Sequence, residues 1–139
     1  MEMVRRFEFD AAHRLTKGAW SPCHNIHGHR YMVDLKLDSP GLDKTDMVIN
    51  FSDVKAHIIA PMLVTLDHSI ILNHSDESGI IEVCKKNNFK MVLLDGDPTV
   101  EVLTWWMQKQ AEVCTEKYFS ASFAVGITCF ETPNCSVST

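Results

Sequence analysis

A chain of 139 residues, 45% apolar and 22% charged, is long enough for one core and too apolar for disorder, and is read as one domain over residues 1–139. Its net charge of -5 excludes a general nucleic-acid surface, which needs a basic balance. No apolar run is long enough to span a membrane, and the charges spread through residues 1–10 are not those of a signal peptide. With no export signal, the five cysteines are expected as reduced thiols in the cytoplasm.

Residues 4–13 read as a strand, with Phe7, Phe9, Ala11 and His13 on one face and Glu8 and Asp10 on the other. Gly18 and Pro22 mark residues 14–26 as a loop. A second strand follows, in which Tyr31, Val33, Leu35 and Leu37 alternate with Met32, Asp34, Lys36 and Asp38. Ser39, Pro40 and Gly41 make a turn. Asn50 is placed to cap a helix over 51–65, on which Val54, Ile58 and Met62 share a face and which Pro61 is expected to kink or shorten. A short helix over 80–86 and a short strand over 91–94 fit the next segments. Asp97-Pro98 reads as a capping carboxylate followed by proline at the first helical position. The apolar stripe of that helix is Val100, Leu103, Met107, Ala111, Cys114 and Tyr118. The last strand, 122–131, carries Phe123, Val125, Ile127, Cys129 and Glu131 on one face.

This order predicts an α+β domain, an antiparallel β-sheet with two helices on one face. The other face and the edges need cover, which an oligomer joining its sheets into a barrel would provide.

His27 and His29 stand two apart at the head of the second strand, so both imidazoles extend its apolar face. His13 ends the apolar face of the first strand. If the two strands pair as a hairpin, three imidazoles converge, the pattern of a catalytic zinc with an open position. Gly28 allows a close backbone approach between them. His24, His57 and His74 show no such convergence and read as surface or packing residues. Cys23, four residues before His27, fits a fourth ligand, an inert small side chain, or a thiolate base beside the cation, and spacing does not choose among them.

The segments FEFDAAHRL, CHNIHGHRYMV, INFSDVK, LDHSIILN, PTVE and CFET occur in an order that resembles the family of 6-pyruvoyl and 6-carboxytetrahydropterin synthases, from Phe7 to about Cys135. The resemblance implies the tunnelling T-fold, with zinc on His13, His27 and His29. It implies Cys23 as the catalytic cysteine rather than a ligand. Asp67 and His68 match the pair that works with it, typically from a neighbouring subunit of a homo-oligomer, a hexamer built as a dimer of trimers. Glu131 matches the carboxylate that anchors the pterin, whose two neighbouring N–H donors it can accept in a fork. Thr99 and Glu101 match the PTxE pocket residues. Taken alone, Asp67-His68 would be a capped turn, Glu131 a solvated strand end, and Thr99 and Glu101 helix-start chemistry.

The gap of three residues between Cys23 and His27 resembles the 6-carboxy branch, whose substrate is 7,8-dihydroneopterin triphosphate and whose products are 6-carboxytetrahydropterin, acetaldehyde and triphosphate, feeding queuosine and other 7-deazaguanines. A 6-pyruvoyl synthase, a member that cleaves dihydroneopterin without triphosphate loss, and a non-catalytic zinc-binding subunit are the alternatives. Asn50, where many 6-carboxy enzymes have aspartate, and Val102, where asparagine is common, depart from the pattern. In an acidic chain a triphosphate needs local cations; Arg14, Lys17 and Arg30 flank the metal motifs and are the candidates, solvated surface charge being the other reading.

Overall fold

The computed structural model describes residues 1–119 and 122–139. β1 (Glu2–His13) and β2 (His27–Asp38) pair antiparallel along their whole lengths, from Glu2 opposite Asp38 to His13 opposite His27. β5 (Ala124–Thr132) pairs antiparallel with β2, and β6 (Cys135–Ser138) with β5. On the far side of β1, β3 (Ser69–Asn73) and β4 (Met91–Leu94) run parallel, giving the order β4-β3-β1-β2-β5-β6.

The α+β expectation therefore holds, with a mixed rather than purely antiparallel sheet. The cause is the path after β2. Asp38 ends β2 beside the start of β1, and a helical run then carries the chain back to the end of β1. There Ser69 enters opposite Ala11 in the direction of β1, a crossover that fixes parallel pairing. No strand is expected at 69–73 from the sequence, because Ile71 and Leu72 are both fully buried and the segment lacks the alternation of a half-wet strand.

Asn50 caps the helical run as expected, its side chain accepting from the Ser52 N–H at 2.8 Å. Pro61 does not break it. α1 (Phe51–Val54) passes through a π-helical turn, Lys55–Ile59, into α2 (Ala60–Leu66), with Pro61 in the first turn of α2. The Ala60 N–H reaches back to the Lys55 carbonyl, so the ladder has already shifted register where proline has no N–H to give. Val54, Ile58, Met62 and Leu66 from this run, and Leu103, Met107 and Ala111 of α4 (Val100–Tyr118), meet Phe7, Phe9, Tyr31, Val33, Leu35 and Ile127 in one core cluster. Leu72, pointing away from that face, is buried outside the cluster, as are Ile81 and Cys84 of α3 (Ile80–Asn87). Tyr118 departs from the expected stripe: it is exposed and stacks on His57, ring centroids 4.5 Å apart. No helix among the described residues is long and apolar enough to cross a membrane.

Candidate metal centre and pterin site

The β1–β2 register decides the centre. His13 opposite His27 puts both on the helix-covered face, and His29 follows one pleat along. The ligating atoms of His13, His27 and His29 lie within 4.8 Å of one another, and His13 Nε2 approaches His27 Nε2 to 3.0 Å. Two backbone carbonyls orient the rings. His13 Nδ1 sits 2.7 Å from the Pro98 oxygen and His27 Nδ1 2.9 Å from the Asn25 oxygen, an arrangement in which each Nδ1–H donates and leaves Nε2 as a lone pair. Burial pushes the His13 imidazole below its ordinary pKa and so favours the neutral form that ligates. Gly28 has its expected role: a Cβ there would meet the Ala11 carbonyl oxygen at 3.2 Å.

Glu131 reaches the same place from β5, with Oε1 3.7 Å from His13 Nε2 and 3.8 Å from His29 Nε2. Three imidazoles with a carboxylate beside them are a donor set that suits a divalent transition ion such as zinc. Extending the β2–β5 register past Met32 opposite Phe130 sets Glu131 beside Tyr31. Tyr31 is buried between a stacked Phe9 ring and the edges of His13 and His29, and its hydroxyl has no hydrogen-bond partner among the described residues. Tyr31→Phe is therefore expected to leave thermal stability equal to wild type or slightly higher, within about 1 kcal/mol, as read by melting curves. The Cys129 thiol, on the same face, is pushed up by burial to about 12 and is inert as a base at neutral pH.

Cys23 lies in a single 3-10 turn, Pro22–His24, half-buried, and no cysteine among the described residues joins the three imidazoles. Asp67 and His68 stand elsewhere. Asp67 Oδ1 accepts from the Asp10 N–H at 3.0 Å and Oδ2 lies 3.0 Å from His68 Nδ1. The Asp10 amide first, and the His68 contact after it, hold the Asp67 carboxyl below its usual range. His68 adopts a left-handed backbone (φ 57°) and its side chain is 80% exposed. It borders a shallow cavity of about 550 Å³ with Asp10, Ala12, Gly28, Arg30 and Ile70, on the open face of β1 and β2. No hydrogen bond or ion pair among the described residues links Asp67 or His68 to Cys23. Thr99 is the N-cap of α4, its hydroxyl accepting from the Val102 N–H, and Glu101 is exposed in the first turn.

One expectation needs correction. Asp97 does not cap α4. It is buried and accepts from the Thr16 and Lys17 N–H groups at 2.8 Å, from the Thr16 hydroxyl, and from Asn73 Nδ2 at 3.1 Å. Burial alone would raise its carboxyl, but these donors hold it down at about 2. Arg14 and Arg30 are not free cations: Arg14 is paired with buried Asp76 and Arg30 with Glu8 on the open face. Lys17 remains exposed. The inward aim of Asp76 and Asp97 has no sequence signal, since Asp in a loop is ordinary turn chemistry.

A family model described as 6-pyruvoyl tetrahydropterin synthase matches residues 2–139. The chain belongs to that family. A protein of Rickettsia bellii named 6-carboxy-5,6,7,8-tetrahydropterin synthase is 31% identical over 138 residues, 99% of this chain and 98% of the relative. One of the same name from Haemophilus influenzae is 35% identical over 95 residues, 64% of this chain and 66% of the relative. The solved 6-pyruvoyltetrahydropterin synthase of Plasmodium vivax aligns with a TM-score of 0.80 at 19% identity, covering 100% of this chain and 96% of that one, which establishes the shared fold.

Proposed function

We propose that this chain is a cytoplasmic, zinc-dependent 6-carboxy-5,6,7,8-tetrahydropterin synthase, a carbon–carbon lyase that converts 7,8-dihydroneopterin triphosphate to 6-carboxytetrahydropterin, acetaldehyde and triphosphate for queuosine or 7-deazaguanine synthesis. The observation that carries the reading is the convergence of His13, His27 and His29 with Glu131 on one face, in a chain alignable end to end with relatives bearing that name. Zinc held by the three histidines would act as a Lewis acid on the substrate side chain. Glu131, beside that position, accepts the two N–H groups of the pterin edge and fixes its orientation. Thr99 and Glu101 line the same pocket from the start of α4. Cys23 takes and returns protons at the side-chain carbons, and Asp67 holds His68 in the tautomer and charge that partner the thiol.

The exposure of His68 supports a site shared between subunits. Within one chain the Asp67–His68 pair faces out beside an open cavity, so a neighbouring copy would complete the site in the hexameric barrel. The two outermost strands, β4 and β6, are the edges such an assembly pairs.

Zinc-loaded protein incubated with 7,8-dihydroneopterin triphosphate is expected to give the carboxy product and acetaldehyde by mass spectrometry, and none after chelation. A pyruvoyl product would keep the site and reassign the reaction. Absence of any product from folded, metal-loaded protein would overturn the enzymatic reading.

A further inference from the structure

The 3-10 turn that carries Cys23 has no buried residue to anchor it. Its position depends on hydrogen bonds. Within the turn, the His24 N–H donates to the Ser21 carbonyl at 3.0 Å and the Asn25 N–H to the Pro22 carbonyl at 3.0 Å, which sets its shape but not its place. Two contacts tie it to the end of β1: the Leu15 N–H donates to the Cys23 carbonyl at 2.9 Å, and Arg14 Nε donates to the His24 carbonyl at 3.0 Å. The other end of the same guanidinium is locked. Arg14 Nη1 lies 2.8 Å from each oxygen of Asp76, whose side chain is fully buried and also accepts from the Ser78 N–H at 2.8 Å. Asp76 is in turn fixed to the end of β3, its N–H donating to the Asn73 carbonyl at 3.0 Å.

We propose that Arg14 is a positioning residue for Cys23, bridging the buried Asp76 carboxylate to the carbonyl of His24. This rests on the reading of Cys23 as the proton-moving thiol. A planar guanidinium suits such a bridge, because Nε and Nη1 point in fixed, different directions and anchoring one aims the other. The ammonium of a lysine neutralises Asp76 but cannot reach both acceptors in that geometry. A buried carboxylate left without any cation is costly, which explains why the bridge is charged and why its anchor does not wander. Arg14 is thereby withdrawn from the triphosphate, for which its position beside His13 made it a candidate.

Arg14→Lys in the full-length, zinc-loaded protein separates these roles. The expected result is unchanged zinc content, a kcat about 10- to 100-fold lower, an unchanged KM, and an altered rate of Cys23 alkylation by iodoacetamide, followed residue by residue by mass spectrometry. A raised KM with kcat and alkylation at wild-type values would make Arg14 a phosphate contact and overturn the proposal, as would no change in any of the three. Should Arg14→Lys not fold, Asp76→Asn reads the same link, because the amide oxygen still accepts while the charge that fixes the guanidinium is gone; the same signs are expected, and wild-type kcat and alkylation overturn the proposal. Cys23→Ala run beside them keeps the two ideas apart. An active Cys23→Ala defeats the role of the thiol itself, whereas an inactive Cys23→Ala with a wild-type Arg14→Lys defeats only the bridge.

Discussion

Cys23→Ala is expected to retain its full zinc content and to lose turnover by about 10³-fold, within the range a positioned proton-transfer group supplies. The two halves of that expectation come from different features of the molecule. Retention of zinc follows because the imidazoles of His13, His27 and His29 group without a thiol, and because the contacts that orient His13 and His27 are the backbone carbonyls of Pro98 and Asn25, which truncating the Cys23 side chain leaves in place. Loss of turnover follows because the thiol that does lie on the histidine face, Cys129, is buried, protonated to about pH 12, and cannot substitute. His27→Ala is the contrasting variant, expected to lose zinc and turnover together, since it removes one of the three grouped imidazoles, the ring facing His13 at 3.0 Å. Metal content by atomic emission and kcat on the same preparations decide the matter. A Cys23→Ala protein that emerges without zinc would make the thiol a ligand and remove the base from the mechanism.

The centre was legible in the sequence because it depends on periodicity alone. Two strands of period two, with histidines at the ends of their apolar faces, converge once they pair as a hairpin, and that pairing is the one observed. Period two placed Glu131 on the apolar face of β5, but taken alone it read as a solvated strand end, and only the family resemblance marked it as a site residue. In the parallel half of the sheet β4 was expected over 91–94, but β3 was not legible, because Ile71 and Leu72 are buried on opposite faces and a doubly buried strand has no alternation to read. At Pro61 the helix is not shortened but departs from α geometry in the π turn just before it, and which of the two a proline brings depends on a hydrogen-bond register that composition does not show. Arg14, Arg30 and Asp97 show the larger gap. Charged residues near a motif carry no mark of whether they face a ligand or a buried partner, and tertiary pairing decided all three.

Asp97 carries the second large effect, on stability rather than chemistry. Its carboxylate gathers Thr16, Lys17 and Asn73, so it joins the loop after β1 to the end of β3, and the Pro98 carbonyl next to it aims His13. Asp97→Ala strands those donors, the buried Asn73 amide among them, and is expected to cost about 2–4 kcal/mol in urea unfolding of the metal-free protein at fixed protomer concentration. Asp97→Asn isolates the charge. The folded carboxyl is held at about 2 against an ordinary value of 3.8, so its charge stabilises the folded state fully above pH 4, and that contribution drains away as pH falls towards 2. It is worth about 2 kcal/mol at neutral pH. The wild type should therefore exceed Asp97→Asn by that margin at pH 7 and by clearly less at pH 3. Other groups that titrate with acid are common to both proteins, so their effects cancel in the difference. A gap that stays constant down to pH 3 would mean that the four donors hold the shape of the side chain and not its charge, and that the loop bearing Arg14 is fastened by geometry alone.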